Sequence, residues 1–96
     1  MTFASSAVPT APTVIDKRSR SRFELSVNGE TAFLEYKRHD GVLTLLHTEV
    51  PEALRGRHVG ESLVAAALRT ALAGRLRVIA ACPFVAAYMR RHSADR

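Results

Sequence analysis

Hydrophobic and polar residues alternate from Arg22 to Val27. Phe23, Leu25 and Val27 stand against Arg22, Glu24 and Ser26, the two-residue period of a strand with one buried face. Asn28-Gly29 follows, a pair that accepts positive φ at both positions and suits a two-residue hairpin turn. Thr31 to Arg38 is the predicted return strand, with Ala32, Leu34 and Tyr36 on one face, and Asp40-Gly41 marks a second hairpin. Val42 to Val50 reads as a third strand, ended by Pro51. Its apolar run from Val42 to Leu46 predicts a central strand covered on both faces.

The period then changes. Val59, Leu63, Ala66, Ala67, Thr70 and Ala71 fall at helical spacing, and Gly74 is the expected residue just past the helix end. Leu76 to Ala81 is long enough for one buried strand. Pro83 suits the first turn of a helix, and Phe84, Val85, Tyr88, Met89 and His92 continue at helical spacing. The predicted order is β-β-β-α-β-α, an α/β fold on a mixed sheet. Its closing strand–helix–strand unit is right-handed, with parallel strands.

Residues 1–21 carry no such pattern. They are rich in Ala, Ser, Thr and Pro and close with Lys17, Arg18 and Arg20 beside Arg22. This predicts a disordered basic tail ahead of one domain spanning residues 22–96. The full chain has 96 residues, enough for a single core. It lacks an apolar run of the roughly 18 residues that a membrane span needs. One cysteine excludes internal disulfides and fits a reducing compartment, so the expected location is cytoplasmic. The four histidines lie at positions 39, 47, 58 and 92, without metal-ligand spacing. Net charge is +5, and 12 of the 14 cationic side chains are arginine, which favours planar, bidentate contact with phosphate or carboxylate.

Position narrows that partner class. Val50-Pro-Glu-Ala-Leu-Arg-Gly-Arg-His-Val-Gly60 runs from a strand into a helix start. A helix N-terminus exposes N–H groups that no helical carbonyl satisfies, and its dipole adds positive potential. Phosphate and pyrophosphate bind such ends. Val50 and the run Arg55, Gly56, Arg57, His58, Val59, Gly60 and Glu61 are therefore the candidate ligand-binding residues. The alternative is an ordinary strand-to-helix turn with glycines for geometry. The segment contains neither Gly-Lys-Ser/Thr nor GxGxxG, which excludes the common nucleotide and dinucleotide loops.

Arg55-Gly-Arg-His-Val-Gly60 resembles the Arg/Gln-x-x-Gly-x-Gly/Ala pyrophosphate loop of the GNAT superfamily of acetyl-CoA-dependent N-acetyltransferases. His47-Thr-Glu-Val-Pro-Glu-Ala-Leu-Arg-Gly56 and Cys82-Pro-Phe-Val-Ala-Ala-Tyr-Met-Arg-Arg-His92 are similar to a subfamily of short, stand-alone GNAT domains. The resemblance covers roughly residues 22–92. It implies acetyl-CoA as co-substrate and an unidentified amine as acceptor. It also implies two splayed parallel strands, Leu45–Val50 and Leu76–Ala81, that admit the pantetheine arm between them. One departure is His58, which stands where the family pattern has glycine.

Four residues are candidates for the chemistry. His47 and Glu49 are two apart on one strand face, and either can take a proton from an incoming ammonium. The alternative is the wet end of a strand. Cys82 precedes a helix N-terminus, a setting that favours thiolate, and the resemblance places it near the thioester; the alternative is a buried inert thiol. The resemblance also implies Tyr88 as the acid for the departing CoA thiolate, with core packing as the alternative. The expected function is acetyl transfer to an amine by direct attack, with a relay through Cys82 as the minor route. The rival readings are a non-catalytic CoA- or acyl-CoA-binding domain and a basic nucleic-acid-binding module. The latter is disfavoured because no aromatic platform accompanies the arginines.

Overall fold

The computed structural model describes residues 13–93. The strands are β1 (Ile15–Lys17), β2 (Arg22–Val27), β3 (Glu30–His39), β4 (Val42–Glu49) and β5 (Arg77–Ala80). Helix α1 (Val59–Gly74) joins β4 to β5, and α2 (Pro83–Ser93) follows β5. The sheet order is β1-β2-β3-β4-β5. The first three pairings are antiparallel and β4–β5 is parallel. Both hairpin turns form where the sequence places them: Asn28 and Gly29 have φ of 51° and 83°, Asp40 and Gly41 of 51° and 77°. Positive φ at both central residues gives the turn whose twist matches paired strands.

The inner face of the sheet builds the core. Phe23 and Leu25 of β2, Ala32, Leu34 and Tyr36 of β3, and Leu43 and Leu45 of β4 are buried. Leu63, Val64, Ala67 and Ala71 of α1 and Val85 of α2 complete the same cluster. Among the described residues no helix covers the outer face. Leu46 is 44% exposed and Ile79 49% exposed, and Thr44 is half-buried. The expectation that β4 is covered on both faces is therefore corrected. The strand is central, between β3 and β5, but only one side is packed. Its apolar run instead reflects a β-bulge. Tyr36 pairs with Leu45 and Glu35 with His47, so Leu46 is an extra residue opposite no partner.

A second correction concerns the tail. Residues 1–12 lie outside the described part, but Ile15–Lys17 adds an edge strand to β2, pairing Ile15 with Glu24 and Lys17 with Arg22. Two polar contacts hold it. The Tyr36 hydroxyl donates to Asp16 Oδ1 at 2.6 Å, and the Tyr36 N–H donates to the Ser21 carbonyl at 3.0 Å. A three-residue strand is too short to show a period, so the pattern of the sequence conceals it.

Two boundaries also move. Gly74 is the last helical residue, and Arg75 takes the left-handed position at φ 56°. The two parallel strands do not splay along their whole length. Val42–Leu45 pair with Arg77–Ala80, the Ala81 N–H bonds the Leu45 carbonyl at 2.9 Å, and the sheet opens only beyond that rung.

Candidate functional site

Beyond Leu45 the strand β4 keeps its β3 partner, with Leu34 opposite Thr48 and Phe33 opposite Glu49, but has no β5 partner. The bulge turns His47 and Glu49 to the outer face and Thr48 to the inner one. On the inner side lies a cleft of about 410 Å³. Its walls are Thr48 and Val50 at the end of β4, the loop through Gly56 and His58, the first turn of α1, and Phe84 of α2.

The loop has an ordered path. Pro51 begins a short 3-10 turn (Glu52–Leu54) whose Leu54 is buried and anchors the segment to the core. Gly56 follows at φ 81°. The first bond closing α1 runs from the Ser62 N–H to the His58 carbonyl at 3.0 Å. The N–H groups of Val59, Gly60 and Glu61 precede it and point out of the helix end. Arg55 leans back, its Nε donating to the Val50 carbonyl at 3.4 Å.

Of the residues named from sequence for ligand binding, Val50, Arg55, Gly56, His58, Val59, Gly60 and Glu61 line the cleft, and Arg57 does not. Thr48, Leu54 and Phe84 also line it and were not foreseen. Phe84 changes the account of Gly60. A Cβ on Gly60 would come within 2.9 Å of Phe84 Cζ and 3.6 Å of Val50 Cγ2. The glycine makes room for the Phe84 ring, which forms a wall of the cleft.

His58 occupies the left-handed region at φ 61° and ψ 25°, which explains why glycine suits this position. Its side chain is largely exposed, and its Nδ1 lies 2.9 Å from Glu61 Oε1. Glu61 also meets Arg91 Nη2 at 3.4 Å. His58→Gly relieves the left-handed penalty of about 1 kcal/mol and adds unfolded-state freedom of about 0.4–1 kcal/mol. The expected result is a melting temperature within a few degrees of the parent, with acetyl-CoA binding equal or tighter, both read by thermal shift.

Cys82 sits where the sheet divides. It is 6% exposed, and its carbonyl accepts the first bond of α2, from the Ala86 N–H at 3.0 Å. Burial pushes its thiol up. The backbone N–H of Val85, the Thr48 hydroxyl, and the N–H groups of Phe84 and Thr48 together outweigh burial and hold it below its ordinary value. Thr48 Oγ1 lies 3.6 Å from the sulfur. The sulfur thus lies against Thr48 of β4 and the first turn of α2, and Cys82 is not among the residues that line the cleft.

His47 and Glu49 share the outer face, with His47 Nε2 2.8 Å from Glu49 Oε1. That hydrogen bond raises the imidazole above its ordinary pKa. Desolvation lowers it, and the charges of Glu49, Glu35 and Cys82 add to the rise. Tyr88 is elsewhere. Its ring stacks on His92 at 4.0 Å and packs partly against the core, and it does not line the cleft.

A mixed sheet whose parallel strands part beside a loop-to-helix turn defines an α/β domain with an open cleft at the strand ends. Residues 22–95 match the family described as GCN5-related N-acetyl-transferase. The chain belongs to that family, whose members are acetyltransferases. No curated protein matches the sequence. Among the described residues no helix is long and apolar enough to cross a membrane.

Proposed function

We propose that this domain binds acetyl-CoA in the cleft and transfers its acetyl group to an amine that approaches from the uncovered outer face. The observation that carries the reading is the coincidence of three features. These are the end of the β4–β5 ladder at Leu45, the free N–H groups of Val59–Glu61, and the cleft between them. The residues present fit the co-substrate. The helix end and Arg55 suit a pyrophosphate, and Val50, Leu54, Val59 and Phe84 give the cleft its apolar walls. Bound acetyl-CoA supplies an activated thioester carbonyl.

The protein's own part is to strip a proton and exclude water. An amine attacks only when neutral. The His47–Glu49 pair is exposed on the side an acceptor would enter, and its imidazole accepts the ammonium proton while Glu49 holds the ring. Backbone N–H groups near Val50 polarise the carbonyl. The amide forms as the carbon–sulfur bond breaks, and the proton shed by the amine nitrogen ends on the departing CoA sulfur, so the products are the amide and CoA thiol. Direct attack is the proposed route. The cradled sulfur of Cys82 supports a second one, in which the acetyl group rests on Cys82 before the amine takes it. A cytoplasmic location fits the single thiol.

The test is CoA release with acetyl-CoA and a panel of amines. The purified domain should outpace buffer. His47 titrates high, so it is neutral, and able to act as base, only above that raised pKa. Glu49→Gln removes the largest cause of the rise. The His47 pKa followed by NMR should then fall, and the acid limb of the rate profile should move to lower pH with it. Cys82→Ala should retain substantial activity under direct attack and lose nearly all under the relay, where the parent also shows an acetyl-enzyme burst. Firm acetyl-CoA binding with no turnover on any amine would replace the proposal with a CoA-binding, non-catalytic domain.

A further inference from the structure

The chain's positive charge is not spread evenly. The β1–β2 connection supplies Lys17, Arg18 and Arg20, the end of β3 supplies Lys37 and Arg38, and the segment from α1 into β5 supplies Arg75 and Arg77. These elements meet at one end of the sheet. Arg77 pairs with Val42 beside the β3–β4 turn, its N–H bonds the Gly41 carbonyl at 2.8 Å, and Ser21 is bonded to Tyr36. Seven of the 14 Lys and Arg residues are therefore gathered at the far end of β4 from the cleft, with Asp16 and Asp40 as the only acids of these segments. The other seven cations are balanced by seven acids, so the net charge of +5 is the charge of this end.

The end also has a recess. A second cavity of about 500 Å³ is lined by Arg18, Ser21, Tyr36, Arg38, Asp40 and their neighbours. Arg18 and Arg38 both face the Tyr36 hydroxyl closely enough to oppose the rise in its pKa. Among the described residues neither has a carboxylate within 4.0 Å, whereas Asp16 is engaged by Tyr36 and Asp40 by His39 at 3.1 Å. The nearest acids are thus occupied, and two guanidinium groups are left to an external anion. Arg18 belongs to the segment that precedes the family match at residue 22, so this recess is built partly by the chain's own extension.

We propose that this end of the sheet is a second anion site, where Arg18 and Arg38 grip a phosphate group and the surrounding cations follow a phosphodiester chain. Planar guanidinium groups match phosphate oxygens bidentately. Cations distributed over three connections suit a line of phosphates better than one, so nucleic acid is the favoured source of the phosphate. The site is separate from the acetyl-CoA cleft and does not depend on it.

The experiment measures binding of pyrophosphate and of a short single-stranded RNA to the full chain, with and without saturating CoA, across a salt series. Arg18→Ser/Arg38→Ser is compared with Arg55→Ser/Arg57→Ser and with the exposed control Arg69→Ser. Both residues of the first pair are exposed, so the fold should survive, as checked by circular dichroism and an unchanged melting temperature. The proposal expects RNA binding that CoA leaves in place. The first pair should weaken it about tenfold or more and reduce the slope of log affinity against log salt by roughly one to two; the other two variants should not. Pyrophosphate bound without RNA, and lost in the same pair, keeps the phosphate site and assigns it to a small ligand. Binding that is absent for both probes, unchanged in the first pair, or lost only with Arg55 and Arg57 overturns the site.

Discussion

Gly60→Asp should abolish stabilisation by acetyl-CoA while leaving a folded protein. A Cβ at this position drives into the Phe84 ring at 2.9 Å, and the ring must swing aside and reshape the cleft it borders. The new carboxylate then stands beside the Val59–Glu61 N–H groups and competes for them with a pyrophosphate. A ligand at a hundred times its dissociation constant stabilises a fold by about 2.7 kcal/mol. The variant should show less than about 0.5 kcal/mol under the same conditions, since a shift this large in Kd removes the linkage term. The apo fold should lose about 1–3 kcal/mol from overpacking. Gly60→Ala separates the causes, because it moves Phe84 without adding charge and should bind in between. Undiminished binding by Gly60→Asp, read by thermal shift, would place the pyrophosphate away from α1.

Removing residues through Ser21 should destabilise the domain strongly relative to a chain that begins at Thr13. The truncation takes away the β1 ladder, the Asp16 carboxylate that accepts from Tyr36 at 2.6 Å, and the Ser21 carbonyl that satisfies the Tyr36 N–H. A hydrogen bond to a charged group contributes about 1.5–3 kcal/mol. A total near 3 kcal/mol lowers the melting temperature of a domain this size by roughly 10–20 °C. Alkaline pH offers an independent check. Burial, and then the bond and charge of Asp16, push the Tyr36 hydroxyl from 10.0 to about 12. Its contribution to stability is complete below pH 10 and is lost as pH rises toward 12, where the folded state still holds a proton that the unfolded state has released. Tyr36→Phe should flatten that loss in denaturant titrations at pH 9 and 11. An unchanged melting temperature in the truncated chain would make β1 an ornament of the sheet.

Strands β2 to β4 and both helices were legible because each is long enough to repeat its period, and β5 was legible as an apolar run between them. Both hairpins were legible because Asn-Gly and Asp-Gly dictate a backbone turn by themselves. The loop at Arg55–Gly60 announced itself through glycine, arginine and position. What stayed hidden depends on contacts between distant residues. β1 exists because Tyr36, some twenty positions later, reaches Asp16. The length of the strand opening is set by where β5 runs out of rungs, which the apolar run Leu76–Ala81 does not reveal. Phe84 looked like one more apolar position on α2, and only its approach to Gly60 makes it a wall of the cleft. Tyr88 shows the converse, since the family resemblance kept it in view as an acid while the fold stacks it on His92.

The extra residue in β4 has a further consequence, best put as parity. Along an extended chain every side chain is assigned to a face by whether its position is odd or even. Leu46 resets that count once, between the residues that pack the core and the exposed pair His47 and Glu49. Upstream, the odd positions Leu43 and Leu45 point inward; downstream, the odd positions His47 and Glu49 point outward. Substitutions at Leu46 leave the count intact whatever side chain they install. Its deletion would straighten the strand and still leave His47 and Glu49 outside and Thr48 inside, because His47 would then follow Leu45 directly. Closing the bulge with Leu46 kept in the ladder would do the reverse, bringing His47 and Glu49 beneath the sheet and carrying Thr48 away from Cys82.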